Sequence, residues 1–138
     1  MDFLSNFNMA FQVALEPMNL FLCFVGCLLG TLVGVLPGLG PAASMSLLLP
    51  LTFTLPAESA VIMLGGLYYG TMYGGSTTSI LINVPGEAAS VVTCLDGYRM
   101  AQKGRAGQAL GIAAFGSFIA GTFGTVMIMI LAPPLTVL

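Results

Sequence analysis

Hydrophobic residues in this chain form long runs punctuated by glycine and proline, with no sustained polar face between them. No charged residue lies between Glu16 and Glu58, and none follows Arg105. A membrane-crossing helix takes roughly 20 mostly apolar residues, and both uncharged stretches exceed that length. Residues 1–16 are moderately apolar with Asp2 and Glu16 at their ends, a pattern that suits a short interfacial helix. Pro17 fits a first helical position, and residues 17–36 read as a span. Within it Gly26, Gly30 and Gly34 recur every fourth residue, the spacing that lets two helix backbones approach closely in lipid.

The sequence Pro37-Gly38-Leu39-Gly40-Pro41 interrupts the apolar pattern. Two prolines remove backbone donors and two glycines favour non-helical dihedrals. Irregular backbone at membrane depth has to be buried in protein or to line a polar cavity. Residues 37–56, carrying Pro50, are therefore expected to form a broken or re-entrant segment. Residues 57–87 read as a span with a polar break, expected at Gly74-Gly75-Ser76-Thr77-Thr78-Ser79. Residues 88–106 hold Asp96 and all three basic residues (Arg99, Lys103 and Arg105), which predicts an aqueous loop on the cytoplasmic side. The last span covers residues 107–132, with Gly116, Ala120 and Gly124 as a second small-residue seam and Ser117, Gly121 and Thr125 beside it. A re-entrant second segment puts the N-terminus in the cytoplasm, and a crossing one puts it outside. Gly30-Thr31-x-x-Gly34 and Gly70-Thr71-x-x-Gly74 each precede an irregular stretch, a short match with little weight of its own.

Composition fixes the class. Of 138 residues, 57% are hydrophobic and 6% charged, and the mean hydropathy is +1.02. Soluble domains carry about 25% charged residues, so the expected fold is an all-α, polytopic helical membrane protein with glycine- and proline-broken helices. The N-terminus lacks the positive region of a secretory signal, so the first span is expected to direct insertion. No basic stripe exists to neutralise nucleic-acid phosphates. With no histidine, Ser–His and Cys–His catalysis is excluded, and no phosphate-loop pattern occurs; no catalytic residue is assigned. Cys23, Cys27 and Cys94 are too few for a metal site without histidine, so no resident metal or cofactor is expected.

Candidate chemistry gathers at the two interruptions. A broken helix offers free N–H groups and a positive dipole end to an anion without a buried Lys or Arg. Unwound carbonyls and Ser, Thr or Asn side chains supply hard oxygen ligands for sodium. Ser76, Thr77, Thr78, Ser79 and Asn83 form that polar set, while Gly38, Gly40, Gly74 and Gly75 permit close backbone approach. The competing structural role is for the hydroxyls to bond back to their own helix carbonyls. Glu87, after Pro85-Gly86, suits a helix N-terminal role, with ion coupling as the alternative. Glu58, after Pro56, suits an acidic first turn.

The segments GTLVGVLPGLGPAASMSLLLPLTF (residues 30–53) and YGGSTTSILINVPGEAASVVTCLDGY (residues 73–98) resemble the large permease subunit of tripartite tricarboxylate transporters, the TctA family. The likeness extends through the basic stretch and the following helix, over nearly the whole chain. It implies a multi-pass protein of the bacterial inner (cytoplasmic) membrane that takes up citrate or other di- and tricarboxylates, driven by a sodium or proton gradient. It also implies two partners, a small four-helix membrane subunit and a periplasmic substrate-binding protein. The family's motifs carry a substrate or ion role onto Pro37–Pro41 and Gly74–Ser79, with Asn83, Pro85 and Gly86 as neighbours. Family members run several times this length with a second, related half, so a chain of this extent supplies one wall of a site between halves and needs the remaining C-terminal half. The alternatives are a helical scaffold subunit that carries nothing, and a pore lined by Ser and Thr from several copies.

Overall fold

The computed structural model describes residues 3–135, so Asp2 lies outside the described residues. Six α-helices occur among them, and no strand: α1 (Phe3–Ala14), α2 (Pro17–Gly34), α3 (Pro41–Thr52), α4 (Ala57–Ile82), α5 (Val91–Gln102) and α6 (Ala106–Leu135). A 3₁₀ turn at Ala88–Ser90 precedes α5. Local chemistry sets the ends. Pro17 and Pro41 open α2 and α3 at positions where a missing N–H costs nothing. Asn83 stops α4 in the left-handed conformation (φ 60°), which Asn tolerates better than other non-glycine residues. Between α5 and α6, Gly104 (φ 75°) makes the turn. Its N–H donates to Ala101 O at 2.9 Å, and that of Arg105 to Met100 O at 2.9 Å, closing the last carbonyls of α5.

The molecule is built around the α2–α4 pair. A Cβ on Gly26 would strike the Met63 carbonyl oxygen, one on Gly30 that of Leu67, and one on Gly34 that of Thr71. Reciprocally, Gly66 meets the Cys23 carbonyl, Gly70 that of Cys27 and Gly74 that of Thr31. Residue numbers rise together on both helices, so α2 and α4 run parallel. The two exchange equivalent contacts, as helices related by a local two-fold along the bundle do. The two Gly-Thr-x-x-Gly motifs are the facing halves of this seam. Even their threonines match: Thr31 Oγ1 donates to Cys27 O and Thr71 Oγ1 to Leu67 O, each at 2.8 Å.

Parallel packing dictates what lies between. Residues 35–56 must carry the chain back from the C-terminal end of α2 to the N-terminal end of α4. At about 1.5 Å per residue α2 is roughly 27 Å long, close to the ~30 Å hydrocarbon thickness. The 12-residue α3 and the turns on either side of it make this return, the course expected of a crossing segment rather than of a re-entrant hairpin. Pro37 ends α2, and Gly38 (φ 86°) turns the chain.

α4 differs from the expected pattern. Gly74–Ser79 is continuous helix, and the break falls at Asn83–Glu87. The region 88–106 also departs from a plain aqueous loop. It forms α5, which rests Gly97 on Ile80 of α4 and exposes Val92 and Leu95. α6 then returns along α4, where Gly121 and Thr125 meet Tyr69. Gly116 and Gly124, expected in the α6 seam, have open space in front of them.

Burial is inverted relative to a soluble fold. The buried side chains include Asn19, Ser44, Ser59, Thr71, Thr78 and Ser79, whereas Phe24, Leu32, Phe115, Phe118 and Ile128 are exposed. Small and hydroxylated residues inside with large apolar ones outside is the arrangement lipid favours.

Candidate transport site at the junction of two chain breaks

Because α2 and α4 run parallel, their C-terminal ends lie at the same end of the bundle. α4 continues past the level of Gly34 into Gly75–Ile82, and both irregular stretches collect beside this extension. Residues 83–87 fold back onto the helix they have just left. Gly86 packs on the Cα of Gly75, and a Cβ on either residue would strike the other chain segment. From the other side, a Cβ on Gly40 would sit 3.6 Å from Glu87 Cβ. The two motifs, distant in sequence, therefore meet at Glu87.

The hydroxyls are satisfied locally. Ser76 Oγ donates to Met72 O at 3.1 Å and Thr77 Oγ1 to Tyr73 O at 2.9 Å. Thr78 Oγ1 and Ser79 Oγ both donate to Gly75 O at 2.9 Å. These bonds explain why a stretch rich in Gly, Ser and Thr stays helical. In a setting without water the side chains reinforce the helix carbonyls they would otherwise compete for. A hydroxyl whose proton is committed can still accept, so this face of α4 presents lone pairs.

Glu87 is the candidate that pattern reading placed least well. Its role at the start of the 3₁₀ turn is present: Ser90 Oγ accepts the Glu87 N–H at 3.2 Å and donates to Glu87 O at 2.9 Å, within a reciprocal capping box. In addition its Oε2 is shut off from solvent with no hydrogen-bond partner, against the Gly75 backbone. The signal available in sequence was Gly86, whose lack of a side chain permits the approach.

The remaining expected site residues divide. Gly40, Gly75 and Gly86 converge on Glu87, and Thr78 and Ser79 are buried on the same face as Gly75. Ser76 and Thr77 are half-buried further round the helix. Gly74 belongs to the α2 seam, Gly38 serves the turn, and Asn83 and Pro85 are exposed in the loop. α3 begins beside this junction with Gly40 as its cap and no side-chain capping bond. The first-turn N–H groups of Ala42 and Ala43 thus have no side-chain acceptor. Among the described residues no three His, Cys, Asp or Glu side chains come together as a metal site would require.

The arrangement has parallels in known sequences. Residues 20–138 match the family described as "Tripartite tricarboxylate transporter TctA family". An uncharacterised 52.8 kDa protein from the TAR-I ttuC' 3' region of Agrobacterium vitis is 61% identical over 135 residues, covering 98% of this chain and 27% of that protein. The chain thus spans about a quarter of the length of that relative. No solved structure matches. With broken helices, a lipid-facing exterior and a family match over most of its length, the chain belongs to the TctA family of tripartite tricarboxylate transporters.

Proposed function

We propose that this chain forms one wall of the permease in a secondary carboxylate transporter of the bacterial inner membrane. The substrate class is di- and tricarboxylates such as citrate, and uptake is a symport driven by a sodium or proton gradient. The rest of the permease supplies the opposite wall. A small four-helix membrane subunit and a periplasmic substrate-binding protein complete the system.

One observation carries this reading: the uncapped start of α3 and the folded-back loop 83–87 meet beside the same hydroxylated end of α4. Helix N-termini bind carboxylates through backbone N–H groups and the dipole, which suits a polyanion in a chain with three basic residues. The acceptor-rich face of α4 complements it with oxygen ligands for a cation.

The test is citrate uptake into proteoliposomes that contain the complete permease, the small subunit and a loaded binding protein, under an imposed sodium or proton gradient. Replacing Thr78 and Ser79 with alanine is expected to abolish gradient-driven uptake while leaving insertion and assembly intact. Uptake that persists in that variant would reject the site, and its absence from a verified complete assembly across a carboxylate panel would reject transport. A second reading, a scaffold subunit that carries no substrate, draws on the tight α2–α4 seam and the internal satisfaction of all four hydroxyls. Its outcome in the same assay is a stable assembly on which no carboxylate has any effect.

A further inference from the structure

Loop 83–87 presses one oxygen of a carboxylate onto the backbone of α4. Glu87 Oε2 lies against Gly75, sealed from solvent and unpartnered. One turn on from Gly75 the same face carries Thr78 and Ser79, both buried. Each has spent its only proton on the Gly75 carbonyl. The α4 positions one turn on from Gly75 therefore offer hydroxyl oxygens whose protons are committed, with no side-chain donor left over. The carboxylate has a donor in the Ser90 N–H of the capping box, but Oε2 itself is buried without a donor or a countercharge, which is strongly disfavoured, and hard oxygens suit a small cation.

No protein charge fills the gap. The titratable side chains of α4 are Glu58, Tyr68, Tyr69 and Tyr73, and none occupies the positions one turn from Gly75, which are Thr71, Met72, Thr78 and Ser79. α3 and the 3₁₀ turn carry no titratable residue. α5 carries Cys94, Asp96, Tyr98 and Arg99, and among the described residues none supplies Oε2 with a partner.

We propose that Glu87 is a cation-dependent latch. A positive charge taken up at its carboxylate, either a sodium ion or a proton, holds loop 83–87 against Gly75, and loss of that charge releases the loop. The latch sits beside Gly40 and hence beside the start of α3. There an uncompensated Glu87 carboxylate repels an incoming substrate carboxylate, and the bound cation removes the repulsion. That consequence rests on the transport reading. The latch itself does not.

The experiment is hydrogen–deuterium exchange on the protein in nanodiscs. Alkaline, sodium-free choline buffer is compared with the same buffer containing sodium, and with sodium-free buffer at mildly acid pH. Amides of residues 86–90 in the unmodified protein are expected to exchange about tenfold more slowly with the operative cation than without it. Slowing by sodium at fixed pH identifies the ion, and slowing by acid alone identifies the proton, with acid rates corrected for intrinsic amide chemistry. Glu87→Gln, neutral at every pH, is expected to be slow in all three buffers. Gly75→Ala puts a methyl group where Oε2 sits and is expected to be fast in all three. Unchanged protection across Gly26–Gly34 shows that each variant is folded. A loop indifferent to both cations, or either variant behaving as the unmodified protein does, overturns the latch. Because the readout needs no uptake, a cation-responsive loop in a protein that carries no substrate would reject the transport reading and leave the latch standing.

Discussion

At the residue scale, glycines of identical chemistry do different jobs, and substitution separates them. Gly30 and Gly70 touch carbonyl groups of the facing helix, while Gly65 has no neighbour within 4 Å of where a Cβ would stand. Gly30→Ala or Gly70→Ala must push two backbones apart, at a cost of about 1–3 kcal/mol by analogy with overpacked cores. Gly65→Ala meets nothing and gains helix propensity, so it is expected to stabilise by up to ~1 kcal/mol. Reversible unfolding in mixed micelles checks both signs; a neutral Gly70→Ala would show that the seam is looser than its geometry. Asn83 gives a second contrast. Its left-handed backbone predicts that Asn83→Gly is tolerated and that Asn83→Val costs about 1–2 kcal/mol, read by the same method. Gly70 belongs to the short Gly-Thr-x-x-Gly match and Gly65 to no motif, but both lie in one glycine-rich run, and the partner helix is what separates their roles.

At the scale of elements, α2 and the break after it were legible, and the place of the second break and the directions of the helices were not. The charge-free runs and the Pro-Gly-Leu-Gly-Pro stretch located α2 and its end, and the four-residue glycine spacing located its packing face. The helical state of Gly74–Ser79 was not legible, since intrinsic propensities measured in water count Gly, Ser and Thr as helix-weakening. Here the hydroxyls bond inward and the glycines admit α2 and Gly86. The capping box at Glu87–Ser90 likewise starts a helix where charge alone suggested a loop. α3 offers a test of its own. Pro50 interrupts the bonding of its last turn, and helix-interior proline costs ~3 kcal/mol in water. Pro50→Ala is therefore expected to lengthen amide protection through residues 50–53 in hydrogen exchange, and no change would mean that those carbonyls are already satisfied.

At the scale of the whole molecule, the parallel pair constrains topology. With α2 and α4 running the same way and α3 crossing between them, the α1–α2 junction and the basic turn after α5 end on opposite faces. Positive-inside bias then predicts Lys103 and Arg105 in the cytoplasm and α1 outside. Cysteines introduced at Gln12 and Gln102 in a background lacking Cys23, Cys27 and Cys94 are expected to react with an impermeant maleimide from opposite sides of intact cells. Labelling from one side would overturn the crossing of α3. The sequence left both topologies open because hydropathy reports the length of a segment and never which neighbour it lies against. The candidate site was hidden for the same reason: its two halves are separated by an entire crossing and are joined only when α4 is set beside α2.

A seam made of glycines at every fourth position is nearly blind to its own alignment. Sliding α4 along α2 by one turn would again set a glycine against a backbone carbonyl, so close packing alone leaves several alignments of similar energy. The buried Asn19–Ser59 pair distinguishes them: Ser59 Oγ donates to Asn19 Oδ1 at 2.6 Å, and Asn19 Nδ2 reaches back to Val13 O at 2.7 Å. Such bonds average about 0.6 kcal/mol in a membrane, small as stability but decisive among near-equal alternatives, as a lone buried Asn is in a coiled coil. The consequence is that a polar contact at one end of the bundle sets which residues meet at the other, and with it whether Gly40, just beyond α2, stands beside Glu87.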